Sequence, residues 1–272
     1  MGKIGIFDSG YGGLSIMRDV VRSLPQYDYI YLGDSARTPY GPKTTEEVRQ
    51  YTVQAVDFLF TAGCELIILA CNTASAQALR YIQQQHLPLV WPNKRILGVL
   101  IPAAETAAEI TENNRIGIMA TIGTVQAGSF VDEIKKLKNE VKIFQQACPK
   151  LVELVEAGEV HDQPLVDAIT EYVTPLLHQN VDTIILGCTH YELIQPTITE
   201  LVPKTINIVA EGAVVADKLV DYLHRHPEIE QKLTQTKDRS FYTTGDIDTF
   251  IRLGSYFYDQ LLTAEKIELQ KK

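Results

Sequence analysis

Two segments of this chain repeat one pattern: Leu66-Ile67-Ile68-Leu69-Ala70-Cys71-Asn72-Thr73 and Thr183-Ile184-Ile185-Leu186-Gly187-Cys188-Thr189-His190. Each is a run of aliphatic and β-branched residues that stops at a small residue, a thiol and a polar side chain. Such a run reads as a buried parallel strand that delivers cysteine to its carboxyl end, just before a helix begins. Open α/β sheets bind ligands at that edge. If the two copies sit in facing halves of the molecule, one ligand lies between two thiols, which suits moving a proton from one face of a carbon to the other.

Strand and helix patterns alternate along nearly the whole length. Lys3 to Phe7, Tyr29 to Gly33, Leu66 to Ala70, Ile96 to Leu100, Arg115 to Met119, Val141 to Phe144, Thr183 to Leu186 and Thr205 to Val209 read as strands. Helical spacing fills Leu14 to Leu24, Thr45 to Ala62, Ala74 to Gln85, Pro102 to Thr111, Pro164 to Leu177 and Ala213 to His224. The expected class is α/β, built on parallel sheets whose strand carboxyl ends share one edge. Prolines in Leu87-Pro88-Leu89-Val90-Trp91-Pro92 and in Leu201-Val202-Pro203 suggest crossings between domains. The expected division is residues 1–97 plus 208–272 as the first domain, with the tail returning to it, and 98–207 as the second. The block from His226 to Lys232 is polar and reads as solvated.

The 272-residue length allows a large core in one or two domains. Net charge is −9, and no Lys/Arg stripe is present, which argues against nucleic acid or an anionic membrane as a partner but leaves room for a small anionic substrate. The opening residues read as a strand rather than a signal peptide, and no apolar run approaches a bilayer's thickness, so a cytoplasmic location is the expectation. Four cysteines without CxxC spacing do not make a disulfide framework.

The first strand ends in Asp8-Ser9-Gly10-Tyr11-Gly12-Gly13. Glycines there let the backbone approach a ligand, and the N–H groups opening the next helix favour an anion, although a tight turn capped by Asp8 or Ser9 explains the same residues. No Walker lysine or dinucleotide glycine spacing is present. Asp8 would emerge at the same edge as Cys71 and could relay its proton. Cys71 could be a small buried hydrophobe, but Asn72, Thr73 and Ser75 open a helix whose N–H groups would stabilise a thiolate. At Cys188, His190 follows two positions on as a proton partner. Cys64 and Cys148 lack such neighbours and read as structural.

Asp8-Ser9-Gly10-Tyr11-Gly12-Gly13, Gly33-Asp34-Ser35-Ala36-Arg37-Thr38-Pro39-Tyr40-Gly41, Ala70-Cys71-Asn72-Thr73-Ala74-Ser75 and Gly187-Cys188-Thr189-His190-Tyr191 together resemble bacterial glutamate racemases, in the same order and over almost the whole chain. The resemblance implies two pseudo-symmetric α/β domains with the active site in the cleft between them, and a cofactor-independent, metal-free two-base racemase supplying D-glutamate for peptidoglycan. It implies that Cys188 deprotonates L-glutamate with help from His190, and that Cys71 deprotonates D-glutamate with help from Asp8. Substrate contacts implied in the same way are Asp8, Ser9, Tyr40, Gly41, Asn72, Thr73, Thr121, Thr189 and His190. Glu156 matches a family acid that supports the second thiol, though a surface glutamate on a helix has the same local sequence. The family commonly carries Pro where this chain has Glu153, so no role passes to that position. A homodimer is the expected assembly.

Two other classes are compatible with these residues. Zinc accepts all the ligand types found in Cys71, Cys188, His190 and Asp8, but their positions lack compact finger spacing. A cleft that closes on glutamate or a metal without racemase chemistry would also use paired α/β domains.

Overall fold

Strand β1 (Lys3–Asp8) is buried from Ile4 onward and pairs in parallel with a strand on each side, β2 (Tyr29–Gly33) and β3 (Cys64–Leu69). A strand flanked on both edges and covered on both faces has no solvent side, so its sequence is apolar throughout rather than alternating. This computed structural model describes residues 2–158 and 162–270.

Helix α1 (Gly13–Ser23) follows β1, and α2 (Thr45–Thr61) follows β2 behind a capping box made by Thr44 and Glu47. After β3, α3 (Asn72–Tyr81) runs through one π-helical turn, Ile82–His86, into the short α4 (Leu87–Val90) and then β4 (Arg95–Gly98). The second half comprises α5 (Leu100–Ile110), β5 (Arg115–Ala120), α6 (Ile122–Ala127), α7 (Ser129–Leu137), β6 (Lys142–Ala147), α8 (Pro149–Ala157), α9 (Gln163–His178), β7 (Thr183–Gly187), α10 (Tyr191–Leu201) and β8 (Asn207–Val209). The chain returns through α11 (Glu211–Arg225), α12 (Pro227–Glu230), β9 (Arg239–Thr243), α13 (Ile247–Tyr258) and β10 (Glu265–Lys266).

All strand pairs are parallel, in one sheet of order β10-β9-β2-β1-β3-β4 and another of order β6-β5-β7-β8. Strands 2-1-3-4 of the first sheet thus correspond one for one to 6-5-7-8 of the second. The repeated sequence segments occupy the corresponding strands β3 and β7, each beside the strand at which the order reverses. Ligands enter α/β sheets at such reversals.

The chain crosses from the first sheet to the second at Val99, where β4 ends and α5 begins. The aliphatic run Ile96 to Leu100 predicts a strand that continues through Leu100. Instead Leu100 opens a helix that packs with Ile116, Ile118 and Phe130 of the second domain. Pro88 and Pro92 do not mark the crossing. Pro88 falls in the first turn of α4, where a missing N–H leaves no bond unmade, and Trp91 packs on Phe60 of the first domain. On the return, β8 pairs with β7 through Val209, so the second sheet keeps the chain two residues past the expected crossing at 207. The polar block from His226 to Lys232 is in part a short helix with Ile229 buried, rather than a wholly solvated stretch.

The tail joins the first sheet through β9, which pairs with β2. Asp28 fastens it there. Its carboxylate accepts the backbone N–H groups of Thr236 and Asp238 at 2.8 and 2.9 Å and the Thr236 hydroxyl at 2.8 Å. Burial alone would raise the Asp28 pKa, but hydrogen bonds from Thr234, Asp238 and Thr236 outweigh it and bring the pKa down to about 2. A carboxyl with its folded pKa depressed contributes stability above its unfolded pKa and loses it as pH falls through the folded value. Asp28→Ala is therefore expected to lower unfolding free energy by about 2 kcal/mol at neutral pH. Urea titrations should find that difference shrinking between about pH 4 and pH 2, and a difference that persists unchanged at pH 2 would count against the assignment.

Candidate active site

The carboxyl ends of β1, β3, β5 and β7 face one another across the seam between the sheets, and the chain leaving each strand supplies the polar groups there. Cys71 is the N-cap of α3, with its Sγ accepting the Ala74 N–H at 3.5 Å. Its thiol donates to Ser9 Oγ at 3.4 Å. Thr121 likewise caps α6 after β5, accepting the Thr124 N–H at 3.2 Å. Cys188 follows β7 directly, three positions before α10 begins, and its Sγ lies 3.9 Å from His190 Nδ1. On its other side His190 Nε2 meets Glu156 Oε1 at 2.9 Å, while Phe257 packs edge-on against the ring. An Nε2–H directed at Glu156 leaves Nδ1 as the basic nitrogen toward the thiol.

These groups surround a buried cavity of about 20 Å³, on the scale of a single water. Its lining contains both thiols and eight of the nine expected contacts: Ser9, Tyr40, Gly41, Asn72, Thr73, Thr121, Thr189 and His190. Asp8 lies just outside it, fully buried, with its carboxylate accepting the Gly10 N–H at 2.8 Å and the Thr189 hydroxyl at 3.4 Å. The hydrogen-bonding neighbour of Cys71 is Ser9, and Asp8 acts on that thiol through its charge. Glu156 stands behind His190 rather than on the cavity wall. Cys64 and Cys148 are buried away from it, Cys64 at the amino end of β3 and Cys148 with its thiol on the Gln146 carbonyl.

Burial pushes the Cys71 thiol up to about 12, with the Asp8 charge adding to it, while Ser9 and the Ala74 N–H oppose the rise. Burial raises Cys188 well above its ordinary value too, opposed by the His190 backbone N–H and reinforced by the nearby acids. The helix N-terminus expected to favour a thiolate at Cys71 is present, but desolvation is the larger effect. Asp8 is also raised by burial, with His190 and the Gly10 and Gly13 N–H groups pulling it back.

Thr38 and Pro39, from the motif that carries Tyr40 and Gly41, also line the cavity, as does Val152, which no motif marks. The Tyr40 hydroxyl points away from it, donating to Asp34 Oδ2 at 2.5 Å, and Asp34 also receives Arg37 Nε and the Thr244 hydroxyl. Asp34 was readable only as part of a motif. Asn72 is held from behind by Glu211, which looks locally like any acid in a first helical turn.

The two domains approach closely at this seam. A Cβ on Gly12 would stand 2.3 Å from Thr189 Oγ1 and 2.8 Å from His190 Nδ1, so only glycine lets α1 lie against the second thiol's partners. Thr73 Oγ1 meets Thr121 Oγ1 at 3.0 Å from the opposite domain. A larger groove along α2 and residues 267–270 carries neither cysteine nor histidine. Among the described residues, no three side chains of His, Cys, Asp or Glu converge in a geometry that could hold a metal ion.

Comparison with known proteins gives a consistent result. Residues 4–216 match the Asp/Glu/Hydantoin racemase family. A glutamate racemase from Bacillus cereus is 36% identical over 270 residues, covering 99% of this chain and 98% of the relative. Among solved structures, a Bacillus anthracis glutamate racemase superposes with a TM-score of 0.90 at 28% identity, covering 98% of each chain. A Francisella tularensis glutamate racemase solved in complex with D-glutamate superposes with a TM-score of 0.89 at 27% identity, over 100% of this chain and 99% of that one. The match over residues 4–216 and the full-length likeness to glutamate racemases show that the chain belongs to the Asp/Glu/hydantoin racemase family.

Proposed function

We propose that the chain interconverts L- and D-glutamate by transferring protons through Cys71 and Cys188 on opposite faces of the α-carbon. The observation that carries this reading is the pair of buried thiols, delivered by corresponding strands to one cavity and given different partners. In the direction from L to D, the Cys188 thiolate takes the α-proton: the C–H bond breaks, an S–H bond forms and the electron pair stays on the α-carbon and its carboxylate. The Cys71 thiol then gives its proton to the opposite face and becomes the thiolate. In the reverse direction the roles exchange.

Because burial favours the neutral thiol at both positions, each thiolate needs a proton acceptor beside it. His190, backed by Glu156, serves Cys188, while Asp8 acts on Cys71 from beyond Ser9. Negative charge developing at the α-carbon and carboxylates is met by fixed dipoles: the N–H groups opening α3 and α6 and the hydroxyls of Ser9, Thr73, Thr121 and Thr189. With its hydroxyl committed to Asp34, Tyr40 offers substrate its ring and the main chain of its loop. The cavity has room for little more than a water, so its walls are expected to move apart as glutamate enters. Supply of D-glutamate for peptidoglycan is the cellular role that follows.

Purified protein incubated with L-glutamate in deuterium oxide is expected to lose optical rotation, with deuterium entering the α-position of the D product before the remaining L substrate. Alanine at Cys71 or at Cys188 should slow racemisation by about a thousandfold or more. Glutamate binding by calorimetry without any loss of rotation would instead identify a binding protein.

The His190–Glu156 pair gives a second test. L- and D-glutamate have equal free energies in water, so any loss of kcat/KM must be the same in both directions. Glu156→Gln is expected to lower kcat/KM roughly tenfold both ways. The asymmetry should appear in isotope effects: α-deuterated L-glutamate, which Cys188 must deprotonate, gains the larger increase. An increase confined to the D substrate would reverse the assignment of the two thiols.

A further inference from the structure

Behind Asn72 lies a pair of carboxyl groups, one fully buried and one partly buried, that proton transfer between the thiols does not use. Glu211 opens α11, is fully buried, and accepts the Asn72 Nδ2–H through Oε2 at 2.7 Å. The groups acting on it are Asn72 in α3, Glu192 in α10 and Asp8 at the end of β1, with no cation among them. Glu192 Oε1 in turn accepts the backbone N–H groups of Glu211 and Gly212 at 2.5 and 2.9 Å, and feels Asp19 and Arg18 from α1.

Two buried oxygens here have no hydrogen-bond partner: Asn72 Oδ1 and Glu211 Oε1. They are the remaining oxygens of two planar groups already joined by one bond. Both are acceptors while Glu211 is ionised, and a buried acceptor without a donor is an unfavourable arrangement. One proton on Glu211 Oε1 would supply the donor that Asn72 Oδ1 lacks, and an acid–amide pair joined by two bonds would leave neither oxygen unpartnered. Asn72 Nδ2 keeps its second hydrogen outside that pair, and Asn72 lines the cavity.

We propose that Glu211 is a positioning residue that carries a proton, pairs in plane with the Asn72 amide, and so presents the free Nδ2–H of Asn72 as a fixed donor to a substrate carboxylate. The proposal rests on the reading of the cavity as the glutamate site. Charge is divided between the two acids accordingly. Both acids lie in a first helical turn and burial raises both, but the Glu192 carboxylate accepts two backbone N–H groups, whereas the Glu211 carboxyl accepts a single side-chain amide. Burial raises Glu211 well above the ordinary carboxyl range, reinforced by the charges of Glu192 and Asp8 and opposed by Asn72. A neutral Glu211 also spares Cys188, whose thiol an anion at this position would push further up.

Infrared difference spectra of the substrate-free protein against E211Q at neutral pH test the proton directly. The expected result is a protonated-carboxyl carbonyl band in the wild type that E211Q removes. The glutamine amide offers the same donor and acceptor to Asn72, so E211Q should keep KM and kcat within about threefold and leave the pH profile in place. Glu211→Ala frees the Asn72 amide and should raise KM about tenfold with a smaller change in kcat. Absence of the band, or an E211Q enzyme as impaired as Glu211→Ala, would overturn the proposal. If Glu211→Ala does not fold, the spectra and E211Q kinetics decide alone. Failure of the racemase reading is separately visible as wild-type protein that does not act on glutamate.

Discussion

Withdrawal of Cys71, Cys188, Asp8 and Glu211 from water sets the terms for everything else at the seam. In bulk solvent each of these groups could ionise freely, but here burial drives all four toward their neutral forms. Polar groups at the cavity therefore depend on partners held at hydrogen-bond distance, and several of those partners come from the other sheet. Thr189 reaches Asp8, and Thr73 meets Thr121. Contacts that join the domains are thus the same contacts that tune the chemistry. A substitution loosening the seam would change protonation as well as packing.

The repeat made the two thiols look alike, and the sheets bear that out through matching strand orders. Their surroundings differ. Cys71 sits on a helix N-terminus with a serine hydroxyl beside it, whereas Cys188 has an imidazole and, behind it, a carboxylate. The helix N-terminus alone suggested a thiolate at Cys71. A helix end supplies only a partial charge, and taking an anion out of water at this buried site costs more.

Legibility in sequence followed how local each signal was. Strands β1, β2, β3, β5 and β7 carry continuous apolar runs because both faces are covered, and they were readable within a residue or two. Strand β6 is half-buried and its end, Gln145-Gln146-Ala147, lacks an apolar signal, while β9, Arg239-Ser240-Phe241-Tyr242-Thr243, lies between β2 and the two-residue β10 and carries no continuous apolar run. Helices α6 and α7 escaped because Gly128, in the left-handed region, divides a short segment into two pieces. Motifs located the thiols, the hydroxyls and His190. They could not reveal that Glu211 holds Asn72 from 139 positions away, or that Asp34 takes the Tyr40 hydroxyl. Those roles arise from the packing of distant elements, and neither glutamate nor aspartate advertises burial in its neighbours.

The return of the tail to the first sheet has a consequence for biosynthesis. The second sheet draws all its strands from one uninterrupted stretch and can close once Val209 has emerged from the ribosome. The first sheet must wait for β9 to lie against β2 and for residues 236–238 to reach Asp28. Domains generally fold as units in the order they are made. Here the first domain to be translated is the last to be completed, leaving the edge of β2 exposed on the nascent chain while the later domain is already whole.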